Sequence, residues 1–221
     1  MIHLLAVLTT QAPTVTLDEG TLVVHVDTLE VARETFRLVA RRAGDSTTGW
    51  VLVATTRWAG RPAVVLSPVL QLDLDSEPSA LAYDIAANGT SQHISGQPGP
   101  GRFTLRYLAA GLERARELAA GPRTVIVDDS VFAPLLFVAW RAGGGTTSVT
   151  AIFPRAPRRE PLTVTDLGLA RTTLNRDPAT LRHILVAGGT GGPVHVWLTP
   201  DGRLMKVEIP QRSVRAERLP S

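Results

Sequence analysis

The run Pro193 to Pro210 constrains this chain more than any other stretch. It holds two segments of alternating apolar and polar residues joined by Thr199-Pro200-Asp201-Gly202. Pro200 presets φ for the second position of a type I turn, Asp201 suits the third, and Gly202 can take the left-handed conformation that re-enters the opposite strand. The run therefore predicts a β-hairpin. With Gly202 as a bulge, Thr199 pairs with Arg203, and His195 and Trp197 share a face with Met205, Val207 and Ile209. That register turns Trp197 and Met205 toward the concave side of the sheet. A slip by one residue would instead align Val194, Val196 and Leu198 with Met205 and Val207.

The rest of the chain repeats the rhythm of strand, punctuation, strand. Thr14–Leu17 and Thr21–Val26 flank a turn at Asp18-Glu19-Gly20. Leu29 to Ala40 fits helix and strand periodicity about equally, and the strand formers Thr35 to Val39 favour strand. Gly49–Trp58 and Ala63–Leu74 follow, with Pro68 marking an edge or a bulge. Asn88-Gly89 is a hairpin dipeptide between Ala80–Ala87 and Thr90–Ser95. Phe103–Leu108 reads as a strand, and Ala109 to Ala120 carries Leu112, Ala115, Leu118 and Ala119 at helical spacing, which predicts a short helix. After the strand Thr124–Val127, Asp128-Asp129-Ser130 offers N-cap oxygens to a helix over Val131 to Trp140 that is apolar on every face. Pro134 lies near its first turn and Arg141 to Gly145 ends it. Strands at Thr146–Phe153, Leu162–Asn175 and Leu181–Ala187 lead back to the hairpin. The expected fold is mainly β: a strongly curved antiparallel sheet, a half-barrel, wrapped around one apolar helix at about residues 129–141. Residues 13–218 are expected to form a single domain.

Composition narrows the function. The formal charge is +3 and there is no Cys, which excludes disulfides, thiolate zinc sites and a Cys nucleophile. The basic residues are nearly all Arg, with Lys206 the single Lys. They are spread along the chain among few aromatics, unlike a nucleic-acid surface, so no nucleic-acid partner is expected. No segment approaches the roughly 20 apolar residues of a membrane span. Residues 1–12 read either as a lead-in or as a stunted signal-like segment, its apolar centre about five residues long where 7–15 are usual.

The phrases Trp197 to Glu208 and Val125 to Phe132 resemble features of uncharacterised bacterial half-barrel proteins. These in turn are similar to lipoprotein-carrier and glycolipid-binding half-barrels, in which a curved antiparallel sheet wraps a helix beside an apolar cavity. The resemblance covers residues 100–218 and implies a fold rather than a chemistry. It implies a cell-envelope location, whereas the incomplete signal-like start points to the cytoplasm.

No catalytic constellation emerges. Asp128-Asp129 is explained by helix capping, and the five histidines, His3, His25, His93, His183 and His195, lack the spacing of a metal face. An enzyme would need two or more of Asp129, His93, His183 and His195 in one cleft. Gly188 to Gly192 and Gly143 to Thr147 lack the Lys and the following helix of a phosphate loop. No cofactor or metal is expected. Trp50, Phe132, Phe137, Trp140, Trp197 and Met205 are the best material for an apolar pocket, with a plain core as the alternative. Arg155, Arg158 and Arg159 are candidates for an acidic head group at its rim. The expected function is non-enzymatic binding of an apolar or lipid-like small molecule in the sheet's concavity. The alternative is an interaction or scaffold domain whose concavity its own helix fills.

Overall fold

A computed structural model describes residues 14–220; the lead-in of residues 1–12 and His3 lie outside the described residues. Eight strands meander antiparallel: β1 (Thr14–Val26), β2 (Leu29–Ala43), β3 (Ser46–Trp58), β4 (Val64–Leu72), β5 (Pro78–Ala87), β6 (Thr90–Gly99), β7 (Arg102–Ala109) and β8 (Leu112–Ala119). The chain then jumps to the far edge with β9 (Thr124–Ile126), followed by helix α1 (Leu135–Trp140). It returns through β10 (Thr146–Phe153), β11 (Arg158–Leu174), β12 (Asp177–Ala187), β13 (Val194–Leu198), β14 (Leu204–Ile209) and β15 (Val214–Arg218), which pairs with β1. Among the described residues all 15 strands form one sheet, and only β9 and β10 run parallel.

One short link explains the curvature. β8 and β9 are opposite edges of the sheet yet are separated by only residues 120–123. A flat sheet would hold those edges about 65 Å apart, at roughly 4.8 Å per strand, whereas the link spans at most about 18 Å. The sheet must therefore curl almost into a closed barrel. Side chains pin the remaining seam. Glu77 accepts the backbone N–H groups of Arg123 (2.6 Å) and Thr124 (3.2 Å) and is also bonded by Arg141. Near the other end, Tyr107 donates to the Pro154 carbonyl at 2.9 Å.

The alternation read from the sequence places one face of each strand inward. On β2 the buried residues are Ala32, Glu34, Phe36, Leu38 and Ala40. The helix lies inside, with Leu135 to Ala139 all buried, so one continuous core joins it to both halves of the sheet. Asn88 and Gly89 both adopt positive φ, as the hairpin turn requires.

The turn expected at Asp18-Glu19-Gly20 is absent, since β1 runs unbroken through it with a bulge at Leu17 and pairs these residues with β2, and three further expectations need correction. Residues 109–120 are not helical: they form the β7–β8 hairpin around Ala110 and Gly111, both at positive φ. Pairing with β7 overrides the helical spacing, and Glu113 and Glu117 reach across to Arg106 and Arg102. The helix is shorter than expected, beginning at Leu135 with no side-chain cap. Asp128 instead accepts the Ser130 N–H at 2.7 Å within its own turn, and the N–H groups of Phe132 and Ala133 are taken by Glu34 of β2, at 2.8 and 2.6 Å.

The third correction concerns the C-terminal hairpin. Its turn closes as expected, Thr199 N–H donating to the Arg203 carbonyl at 2.9 Å. Beyond it, Leu198 pairs with Leu204 while Trp197 pairs with Lys206, so Met205 is an extra, bulged residue. The apolar set Leu204, Val207 and Ile209 changes parity within β14, and a strict period of two cannot bury all three. The bulge absorbs the extra residue, Met205. Val196, Leu198, Leu204, Val207 and Ile209 then all face the core, and Trp197 faces outward with Lys206.

Candidate functional site

The segment from Val127 to Pro134 crosses the mouth of the half-barrel. It is tied down from several sides. Trp58 donates to the Ser130 carbonyl at 3.1 Å, Arg212 to the Asp129 carbonyl at 3.0 Å, and Tyr83 to Asp128 at 3.0 Å. Arg155 grips Asp128 with two bonds of 2.6 Å, the bidentate geometry that a guanidinium favours. Burial pushes the Tyr83 hydroxyl well above the ordinary tyrosine range, so it acts as a permanent donor.

Beneath this segment lies a cavity of about 60 Å³. Its walls are apolar: Val127, Phe132, Leu135, Phe153, Leu162, Val186, Val194 and Ile209. The glycine-rich loop of residues 188–193 and the turn at Pro210–Arg212 close it from outside. Thr190 holds the loop by donating its N–H (3.0 Å) and hydroxyl (2.8 Å) to Glu160. Arg158 joins Glu160 (2.8 Å) to Asp129 (3.0 Å) and stacks over Phe153, its guanidinium carbon 3.7 Å from the ring centre. Burial raises the Glu160 pKa, but the hydrogen bonds from Arg158 and Thr190 outweigh it and hold the carboxyl below its usual value. The glycines have a steric role. A Cβ on Gly189 would crowd Glu160 and Leu162, and one on Gly192, at φ 81°, would overlap Gln211.

The six aromatic and sulfur residues singled out from the sequence occupy three places. Phe132 lines this cavity. Trp140 packs edge-on against Trp50 and Phe137, at centroid distances of 5.7 and 5.2 Å, within the core at the C-terminal end of α1. Trp197 is on the outer face, and Met205 lines a shallow surface groove with Leu174, Arg203 and Arg218. Of the arginines, Arg155 and Arg158 are at the mouth in ion pairs, and Arg159 is exposed.

The outer face also carries the remaining polar chemistry. His183 Nε2 meets His195 Nδ1 at 2.8 Å, Trp197 stacks on His183 at 3.9 Å, and the Trp197 indole donates to Glu208 at 2.8 Å. Lys206 is buried in this network, bonded to Glu208 at 2.8 Å and to the Thr173 carbonyl at 2.9 Å. Burial and the neighbouring His195 lower the His183 pKa, with Glu208 opposing. Two of the four residues weighed for an enzyme thus converge, on the convex surface. Asp129 is at the mouth and His93 pairs with exposed Asp84. Among the described residues no three His, Asp or Glu side chains gather to hold a metal.

Glu34, Glu160, Thr190 and Arg212 escaped the sequence reading. Glu34 left a signal, as an acid in phase with the inward-facing Ala32, Phe36, Leu38 and Ala40 of β2. Burial pushes its carboxyl up to about 7, against the pull of Phe132, Ala133 and Thr56, which all donate to it. The other three are placed by turns that bring residues 30 or more apart together and leave no local pattern.

No protein-family model and no curated protein matches the chain. Among solved structures, it is similar to a beta-barrel-like protein of a domain of unknown function, DUF1849, from Brucella abortus. The TM-score is 0.55 at 12% identity, over 94% of this chain and 96% of that one. It is also similar to a DUF1089 family protein from Pseudomonas aeruginosa, with TM-score 0.52 and 14% identity over 80% of this chain and 89% of that one. At such identities the likeness establishes the architecture: the chain has a beta-barrel-like fold, a curved open sheet around one helix.

Proposed function

We propose that this protein binds, without catalysis, the apolar end of an amphipathic, lipid-like molecule at the mouth of the half-barrel. The observation that carries the proposal is the apolar cavity under the glycine-rich loop, walled by eight apolar side chains and rimmed by Arg158 and Arg212. Arg155 and Arg158 are already neutralised by carboxylates, whereas the hydrogen-bond partner of Arg212 is a backbone carbonyl. Among the described residues that line the cavity, Arg212 is therefore the cation placed to meet an anionic head group. At about 60 Å³ the cavity falls well short of the roughly 300–1,000 Å³ of drug-sized sites. It takes a chain end as it stands, and a longer tail enters only when the loop of residues 188–192 lifts. Each 100 Å² of ligand surface buried there contributes about 2.5 kcal/mol.

The second reading, an interaction domain with a self-filled interior, is favoured by the burial of Leu135 to Ala139 in α1 and by its Trp50–Trp140–Phe137 cluster. Native mass spectrometry of freshly purified protein separates the two. A co-purified amphipath, displaced by Val194→Trp, which fills the cavity from its half-buried wall, supports binding. Unliganded protein that also fails to titrate with a fluorescent fatty acid leaves the interaction reading.

A further inference from the structure

The sheet is nearly closed but keeps two edges. Among the described residues β8 is hydrogen-bonded only to β7 and β9 only to β10, so along its outer side β8 presents a row of backbone N–H and C=O groups that no described strand pairs. The pairing with β7 fixes which way its side chains point. Leu112 lies opposite Ala109, Arg114 opposite Tyr107, Arg116 opposite Leu105 and Leu118 opposite Phe103. Leu105 and Phe103 are core residues, so Leu112, Arg114, Arg116 and Leu118 share the core-side face. The acids Glu113 and Glu117 point outward and are engaged by Arg106 and Arg102. Arg114 and Arg116 are exposed, and among the described residues neither forms an ion pair. The edge therefore reads, on one face, as apolar, cation, cation, apolar at alternate positions.

From this pattern we infer that β8 is a strand-addition site for an extended acidic segment of a protein partner. An added strand pairs its backbone with the free edge and sets its alternate side chains directly beside those of β8. The matching partner carries two carboxylates at i and i+2, flanked by apolar residues at i−2 and i+4. Because the β8 pattern is palindromic, it accepts such a segment in either direction.

A second copy of this chain is the wrong occupant. A two-fold antiparallel pairing of β8 with itself sets a residue opposite its own copy at the centre. Centred on Ala115, Arg114 faces Arg116 and Glu113 faces Glu117; centred on Arg114, Arg116 or Glu117, that residue faces itself. Every such register that pairs more than three residues of β8 opposes like charges, which is destabilising. The edge thus rejects itself while selecting acid. This inference is independent of the cavity at the mouth.

The test uses the full chain and the peptide acetyl-Val-Thr-Glu-Thr-Glu-Thr-Val-amide, followed by calorimetry and by the amide resonances of β8. Saturable binding that shifts the β8 amides is expected. It should weaken roughly two- to fivefold for each of Arg114→Ser and Arg116→Ser, and vanish when alternate peptide amides are N-methylated. Both substitutions are at exposed positions, and circular dichroism verifies that the variants fold. Absence of binding overturns the inference. So does equal binding by the Gln-for-Glu peptide, or by the N-methylated one, or shifts confined to residues outside β7 and β8.

Discussion

Replacing Glu34 probes the junction on which the mouth of the half-barrel rests. Its carboxylate is fully buried between β2 and the segment before α1, accepting bonds from Phe132, Ala133 and Thr56 at 2.8, 2.6 and 3.0 Å. Burial raises its pKa from 4.5 to about 7. An acid whose folded pKa is raised contributes most below its unfolded pKa, and that contribution is lost as pH rises through the folded one. The loss amounts to about 3 kcal/mol, 2.5 pH units at roughly 1.4 kcal/mol each, spread over pH 4.5 to 7. Glu34→Gln cannot ionise and does not carry this term. Its amide cannot accept from every donor either, and one unsatisfied buried N–H costs about 1–3 kcal/mol. Urea unfolding followed by tryptophan fluorescence should find the variant less stable than the parent near pH 4.5, by about that amount. The gap should close or reverse by pH 7 to 8. Glu34→Ala, which orphans all three donors and leaves a cavity, should cost about 3–5 kcal/mol at acidic pH. A Glu34→Gln difference that stays constant from pH 4.5 to 8 would refute the buried-carboxylate account.

Two further perturbations test the other long-range devices. Gly192→Ala meets Gln211 and is held at positive φ, at about 1–2 kcal/mol for the backbone alone; faster amide exchange confined to residues 188–192 and 210–212 is the expected signature. Deleting Met205 removes the bulge and leaves Leu204-Lys206-Val207-Glu208-Ile209 in strict alternation, with Leu204, Val207 and Ile209 still on the core face. The deletion should therefore change the urea midpoint little, as should Met205→Ala, whereas Ile209→Ala, which empties a core position, costs about 2–5 kcal/mol and should lower it sharply.

Much of the fold was legible because it is written in local terms. Asn88-Gly89 and Thr199-Pro200-Asp201-Gly202 specify turns through backbone preferences of a few residues. Alternation along β2, β3 and β4 specifies which face is buried. The apolar run of residues 131–139, with no polar face to offer solvent, announces a buried segment whatever surrounds it. The misreadings share one cause. Residues 109–120 satisfy helical spacing as well as strand alternation, and only the presence of β7 beside them decides. The carboxylates of Asp128 and Asp129 suited a helix start, yet Arg155, Tyr83 and Arg158 compete for them, and an acid some 98 residues earlier takes the amides instead.

The sequence alone thus determined a β-rich chain, the principal turns, the buried helix, and the absence of thiol chemistry, since each follows from residue identity or short-range geometry. Tertiary structure decided the near-closure of the sheet, because the 120–123 link acts only once β8 and β9 are opposite edges. It decided the parity of the C-terminal hairpin, because the demand to bury Leu204, Val207 and Ile209 together outweighs a regular ladder. And it decided the site: the residues at the mouth come from widely separated parts of the chain, and only the curl of the sheet brings them within hydrogen-bond range.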